Sequence, residues 1–361
     1  MLNPSRLTLA RKRQGLTLRS LSELTGLSTK SLSTYENGRQ EPIARTVALL
    51  ADVLDVTEQF LVGTDVDEIP VDAVSFRALS KMPARLRDRG LASGRVAIMI
   101  NDWIEERFAL PALDVPPLTG RVPEHAAEEL RAQWGLGARP IRNMIHLLEA
   151  HGVRIYSLTS DNSELDAFSL FWRSQPFVFL GTTKSAERSR FDAAHELGHL
   201  VLHRGDQQPH GLEAERQANQ FASAFLMPRP QVLAQELRNA NVARVLRAKQ
   251  DWKVSAMAMV HRANELGLMT EWSYRTTCTQ LARMGFRRSE PGGMPRESSQ
   301  LLTKVMQELR STGRGVADVA TDIGITSDEV HAHMFGLTPV LLTGSGASHA
   351  GERKSMLKLV T

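Results

Sequence analysis

The sequence predicts an α+β fold that is mostly α. Three observations carry this. From Arg6 to Gly63, apolar residues recur at helical spacing and are cut into short pieces by turn residues. Between residues 153 and 180 the pattern changes to the two-residue alternation of strands. Helical spacing then returns in Phe191–His203 and Glu213–Pro228 and persists toward a helical C-terminal region.

In the first piece, Leu7, Leu9, Ala10, Leu16, Leu21, Leu24, Leu27, Leu32, Val47, Leu50, Val53, Leu54 and Phe60 are expected to supply a small core. Thr17 and Ser28 can each cap a helix, because a hydroxyl accepts a bond from the free N–H groups of a first turn. Gly26 lies between those helices, where a left-handed backbone costs glycine little. This is a helix-turn-helix pattern. Through Gly15-Leu16-Thr17, Gly26-Leu27-Ser28 and Tyr35-Glu36-Asn37-Gly38-Arg39 with Pro42, the segment resembles the lambda-repressor-like (XRE) family. In such a fold the second helix enters the major groove of double-stranded DNA. Thr29, Lys30 and Ser31 would then reach base edges, with Ser33 or Thr34 one turn on, while Arg39 and Arg19 suit phosphates. Residues 1–45 hold eight Lys/Arg against three acidic residues, an excess larger than the +4 of the whole chain.

Asp65–Asp72 is acidic and then proline-bearing, and reads as a hinge. Arg95–Phe108 is amphipathic and reads as a helix packing between domains, with a homodimer contact as the other reading. Two helices are expected over Glu124–Ala150. Short strands follow at Val153–Leu158, Ala167–Trp172 and Pro176–Leu180, a small sheet whose edge could pair with an extended peptide.

The run Phe191–His203 contains His195-Glu196-Leu197-Gly198-His199. On a helix, His195 and His199 share a face and can hold one metal ion, with Glu196 beside them. Zn2+ suits such ligands, and a catalytic zinc site takes three protein ligands with one open position. The second helix can supply the third. Glu215 is expected in that role because Asn219, four residues on, can hydrogen-bond a ligand imidazole and fix its tautomer. Glu213 is the alternative. His203 is expected to support a ligand or the helix end, with oxyanion stabilisation as the other reading. His210, Tyr156 and Tyr274 are further candidates for that last role.

These residues resemble the ImmA/IrrE family of zinc metallopeptidases. The resemblance runs through Arg190-Phe191, the Ala194–Leu200 motif, His203, and the stretch from Glu215 through Asn219 to Met227-Pro228. It extends upstream to Ala132–Ile141 and Leu148–Val153, and downstream to Val254–Arg262. The order His, Glu, His and a later Glu is similar to gluzincin peptidases. It implies that Zn2+ polarises a carbonyl while Glu196 acts as general base and passes the proton to the leaving amine. A zinc held only for stability usually has four Cys/His ligands, and the chain has one cysteine, Cys278.

Downstream, Gly315–Val330 could form a second helix-turn-helix, but Asp328 and Glu329 stand where phosphates would bind, so it reads as a packing or protein-recognition element. The tail after Gly344 is polar and reads as mobile. The expected division is 1–64 for DNA binding, 65–124 as helical connector, 125–275 as peptidase domain and 276–361 as C-terminal region. A chain of 361 residues with 42% hydrophobic residues accommodates such cores. No run of 18 apolar residues exists, no signal segment opens the chain, and the lone cysteine cannot form an internal disulfide, which together suit a reducing cytoplasm with no membrane partner. The reading that gathers these features is a DNA-binding regulator carrying a zinc endopeptidase that cleaves a regulatory protein, such as a helix-turn-helix repressor. Two others share them: a transcription factor whose peptidase-like domain senses a ligand or metal without cleaving, and an antitoxin-like autoregulator of an operon or phage-related locus.

Overall fold

The computed structural model describes residues 1–71, 74, 83–159, 165–204 and 211–334. Five helices open the chain: α1 (Pro4–Arg13), α2 (Leu18–Thr25), α3 (Thr29–Glu36), α4 (Ala44–Leu54) and α5 (Glu58–Leu61). Their caps follow the sequence logic. Thr17 accepts from the Ser20 N–H, Ser28 accepts from the Ser31 N–H, and Gly26 ends α2 at φ 71°.

The acidic run after α5 makes contacts over residues 66–69, while Asp72 lies outside the described residues. Val66 and Ile69 are buried. Lys12 pairs with Glu68 at 2.7 Å, and Arg95 donates to the Asp67 carbonyl at 3.0 Å. Helix α6 (Ala84–Glu105) starts well before the amphipathic stretch legible in sequence. Gly90 and Gly94 lower helix propensity, but they let α6 pass close to the sheet. A Cβ at Gly90 would sit 2.7 Å from Leu165, and one at Gly94 3.0 Å from Phe168. The apolar side chains of α6 are buried against the chain's own α1 and sheet.

Helices α7 (Pro123–Gln133) and α8 (Met144–Ala150) lead into β1 (Arg154–Ser157), β2 (Ala167–Trp172) and β3 (Gln175–Leu180). The strand order is β1-β3-β2, with β1 parallel and β2 antiparallel to β3. Alternation divides the sheet between two cores. Tyr156, Phe168, Phe177 and Phe179 face the core shared with the N-terminal helices and α6. Ile155, Ala167, Val178 and Leu180 face the core around the metal-motif helices. Those helices are α9 (Ala186–Leu202) and α10 (Leu212–Leu226). The β2 edge, a candidate for strand addition, is bridged at Leu170 by Val74 of the same chain.

Then come α11 (Arg229–Ala234), α12 (Val242–Trp252), α13 (Ala256–Glu265) and α14 (Glu271–Arg283). The irregular run 284–299 lies along the second core. It is anchored by Glu290 to Lys249 at 2.6 Å and by Glu297 to the buried Arg190. Helices α15 (Gln300–Ser311), α16 (Val316–Ile323) and α17 (Ser327–His333) return to the N-terminal core. Gly324 turns at φ 85° and Thr326 caps α17, so the second helix-turn-helix shape is present. It packs inward, with Glu329 paired to Arg13 of α1 and the Gly324 carbonyl accepting from the Thr57 N–H at 3.0 Å. The tail after Gly344 lies outside the described residues. Among the described residues no helix is long and apolar enough to cross a membrane.

Candidate metal centre and nucleic-acid interface

Ser185 caps α9 by accepting from the Arg188 N–H. Four residues apart, His195 and His199 lie on the face of α9 that meets α10. The helices cross tightly at Gly198, where a Cβ would come within 3.2 Å of the Ala218 Cα and 3.1 Å of Phe221. That approach brings Glu215 to the histidines. Its carboxylate oxygens lie 3.3 Å from His195 Nε2 and 3.5 Å from His199 Nε2, and the two Nε2 atoms are 3.1 Å apart. Glu213 is elsewhere, gripped by Arg216 at 2.7 and 2.9 Å.

Hydrogen bonds around the rings decide what the cluster can hold. Gln217 donates its amide to Glu213 at 2.9 Å, so its carbonyl oxygen faces His203 Nε2 at 3.1 Å. His203 therefore carries its proton on Nε2 and accepts at Nδ1 from His199 Nδ1, 2.9 Å away. His199 is left with a lone pair on Nε2. Asn219 presents Oδ1 to His195 Nδ1 at 3.1 Å, which places a lone pair on that Nε2 as well. Two lone pairs and a carboxylate thus converge, with ligand atoms all within 4.8 Å of one another. Three acceptors without a donor between them fit a cation, and two imidazoles with one carboxylate fit Zn2+.

The electrostatics differ between the two rings. Burial pushes the His199 pKa down to about 4, so the ring is neutral and ready to ligate. For His195 burial acts downward too, but Glu215, Glu196 and Asp192 outweigh it and the pKa rises. Burial works against the Glu215 charge, yet both histidines overcome it and hold the carboxyl well below its usual range. Glu196 is buried beside the cluster, and burial lifts it to about 7. Its Oε2 accepts from the Ser169 hydroxyl at 2.6 Å, which favours the charged form.

Sequence reasoning missed Ser169, Gln217 and the orienting part of Glu213. Ser169 left a signal, as the lone polar residue on the inward side of an apolar strand. Among the other candidates, Tyr156 is buried on the opposite face of the sheet and donates to Asn101 at 3.1 Å. Tyr274 contacts His261 Nδ1 at 2.8 Å. His210 lies outside the described residues.

At the N-terminus, α2 and α3 are the two arms of the helix-turn-helix. Thr29, Lys30 and Arg39 are exposed, and Ser31, Ser33 and Thr34 are half-buried. Ser33 and Thr34 have local partners: Ser33 accepts from Asn37, and the Thr34 hydroxyl donates to the Ser31 carbonyl at 2.7 Å. Arg19 is exposed and pairs with Glu23 at 3.1 Å. The basic excess of the sequence is not all at the surface. Arg11 turns inward to Glu36 at 2.6 Å, and Arg13 is tied to Glu329. Lys30, Arg39 and Arg45 are exposed and enter no ion pair among the described residues; Arg6 enters none either, but it turns inward over Phe60 and donates to the Thr64 carbonyl at 2.8 Å.

Comparison with known families agrees with both regions. Residues 7–61 match the helix-turn-helix family, and residues 148–264 match the IrrE N-terminal-like domain. A search of curated proteins gives no match. The chain therefore joins an XRE-type helix-turn-helix domain to a metallopeptidase-like domain of the IrrE/ImmA type.

Proposed function

We propose that this chain is a DNA-binding transcriptional regulator carrying a zinc-dependent, site-specific endopeptidase that cleaves a regulatory protein, with a helix-turn-helix repressor as the first candidate substrate. The observation that carries the reading is the convergence of His195 Nε2, His199 Nε2 and the Glu215 carboxylate, each presenting an electron pair, with Glu196 buried alongside. A bound Zn2+ would supply Lewis acidity, polarising a scissile carbonyl and making water easier to deprotonate.

The remaining roles belong to the chain. Glu196 accepts the proton of the attacking water and returns it to the leaving amine. Ser169 holds one Glu196 oxygen, so the base keeps its orientation. Asn219 fixes the His195 ring, and the series Glu213, Gln217, His203 fixes His199. On the DNA side, α3 presents Thr29, Lys30 and Ser31 to bases, with Ser33 and Thr34 behind them and Arg39 and Arg19 toward phosphates.

Metal analysis of purified variants tests the site. Wild type and Glu196→Gln should each hold one zinc per chain, because Glu196 is not a ligand. Glu215→Gln should lose most of it, because a charged ligand is removed. A Glu215→Gln protein that keeps full zinc while Glu213→Gln loses it would overturn the ligand assignment.

A further inference from the structure

Beside the metal-ligand cluster opens a cleft of about 650 Å³. Asn219 belongs to both, lining the cleft and bonding His195 Nδ1. From there the cleft is bounded by Asp192 of α9, Ser223 of α10, His261 and Glu265 of α13, and the irregular run through Phe286–Glu290.

Its charges are unevenly matched. Each acidic residue in the lining already has a partner. Asp192 takes Lys184 at 3.0 Å, Glu290 takes Lys249 at 2.6 Å, and Glu265 accepts from Ser223 at 3.2 Å. Arg188, Arg287 and Arg288 also line the cleft, are exposed, and have no side-chain hydrogen bond or ion pair among the described residues. Three guanidinium groups without counter-charge therefore stand around a cleft that begins at the candidate catalytic centre. Guanidinium pairs best with planar oxyanions, and in a polypeptide those are Asp and Glu carboxylates.

We propose that this cleft selects an acidic segment of the protein substrate, with Arg188, Arg287 and Arg288 as specificity-determining residues on one side of the scissile bond. The assignment rests on the peptidase reading and names its substrate class. A nucleic acid fits less well. Single strands are held by free aromatic rings on which bases stack, whereas Phe286 is buried in the wall and Phe191 is packed against the second core.

The test is peptide binding to the full, zinc-loaded chain carrying Glu196→Gln, followed by fluorescence anisotropy. Three labelled peptides of equal length are compared: Asp/Glu-rich, uncharged Ser/Gly-rich, and Lys/Arg-rich. The acidic peptide should bind tightest. Combined Arg188→Gln, Arg287→Gln and Arg288→Gln should weaken it by about tenfold or more, and charge reversal to Glu at the same positions should weaken it further. Lys30→Ala with Arg39→Ala should leave it unchanged. Thermal melts verify folding, and since all three side chains are exposed, both sets of variants should fold. Equal binding of acidic and uncharged peptides would overturn the proposal. So would an acidic preference that disappears with Lys30 and Arg39 and survives the cleft variants. A single-stranded oligonucleotide that outcompetes the acidic peptide and depends on the same arginines would replace the peptide with nucleic acid. If the acidic peptide binds through the three arginines and wild type cuts nothing, the cleft assignment stands and the peptidase reading falls.

Discussion

At the scale of single residues, the proposed chemistry depends on the environment of Glu196. A carboxylate is a base only when ionised, so activity should fall as pH drops through its pKa. Burial raises that pKa to about 7, while the Ser169 hydroxyl acts in the opposite direction by bonding the charged form. A cation at the three ligands would also draw it down. Ser169→Ala should therefore move the acid limb of kcat/KM to higher pH without removing zinc. An unmoved limb would mean that Ser169 is only a packing residue. The pairing of His195 and His199 was legible in the sequence because i, i+4 spacing on a helix is purely local. The position of Glu215 beside them was legible because Asn219, four residues on, marked that face of the helix. Ser169 was not, since its contact joins a strand to a helix 27 residues away and depends on how the two pack. Gln217 was hidden for the same reason, because its contact with His203 joins two helices; its i, i+4 bond to Glu213 is local.

At the scale of elements, the close crossing of α9 and α10 makes the site. Gly198 permits it, and opposing effects meet at that position. Alanine gains about 1 kcal/mol of helix propensity, but overpacking a tight core contact typically costs about 1–3 kcal/mol. The neighbour at 3.2 Å is the Ala218 backbone, which cannot rotate away. Gly198→Ala should therefore lower stability and weaken zinc retention together, as read by thermal melts with and without zinc. A more stable variant with unchanged zinc affinity would contradict the tight crossing. The strands were legible from alternation, as were the capped helices α2 and α3. The early start of α6 was not, because Gly90 and Gly94 argue against a helix until the sheet beneath them is known. Burial outweighs their propensity there.

For the whole molecule, two domains share one chain, and the C-terminal helices join them. The run 284–299 is anchored to the core around α9 and α10, and α17 is anchored to α1 through Glu329 and Arg13. Removing one partner of a buried ion pair costs about 3–5 kcal/mol, so Glu329→Ala should destabilise the N-terminal core strongly, as a denaturant melt would show. A loss below about 1 kcal/mol would mean the pair is effectively solvated. The surface charges behave differently. Lys30→Ala and Arg39→Ala should each weaken binding to DNA selected from a randomised pool and reduce the salt slope by about one. Zinc content should stay the same. DNA affinity that survives deletion of residues 1–64 would move the interface to the C-terminal helices. The measurement that tests the central claim most directly is a quantitative survey of new protein N-termini in cells expressing wild type or Glu196→Gln. Loss of a general base typically costs about 10²–10⁴-fold in rate, so wild type alone should produce new termini, confined to one or a few proteins. Identical termini and identical transcriptional responses in both, under every stress applied, would contradict catalysis and leave a zinc-holding, non-cleaving sensor in its place.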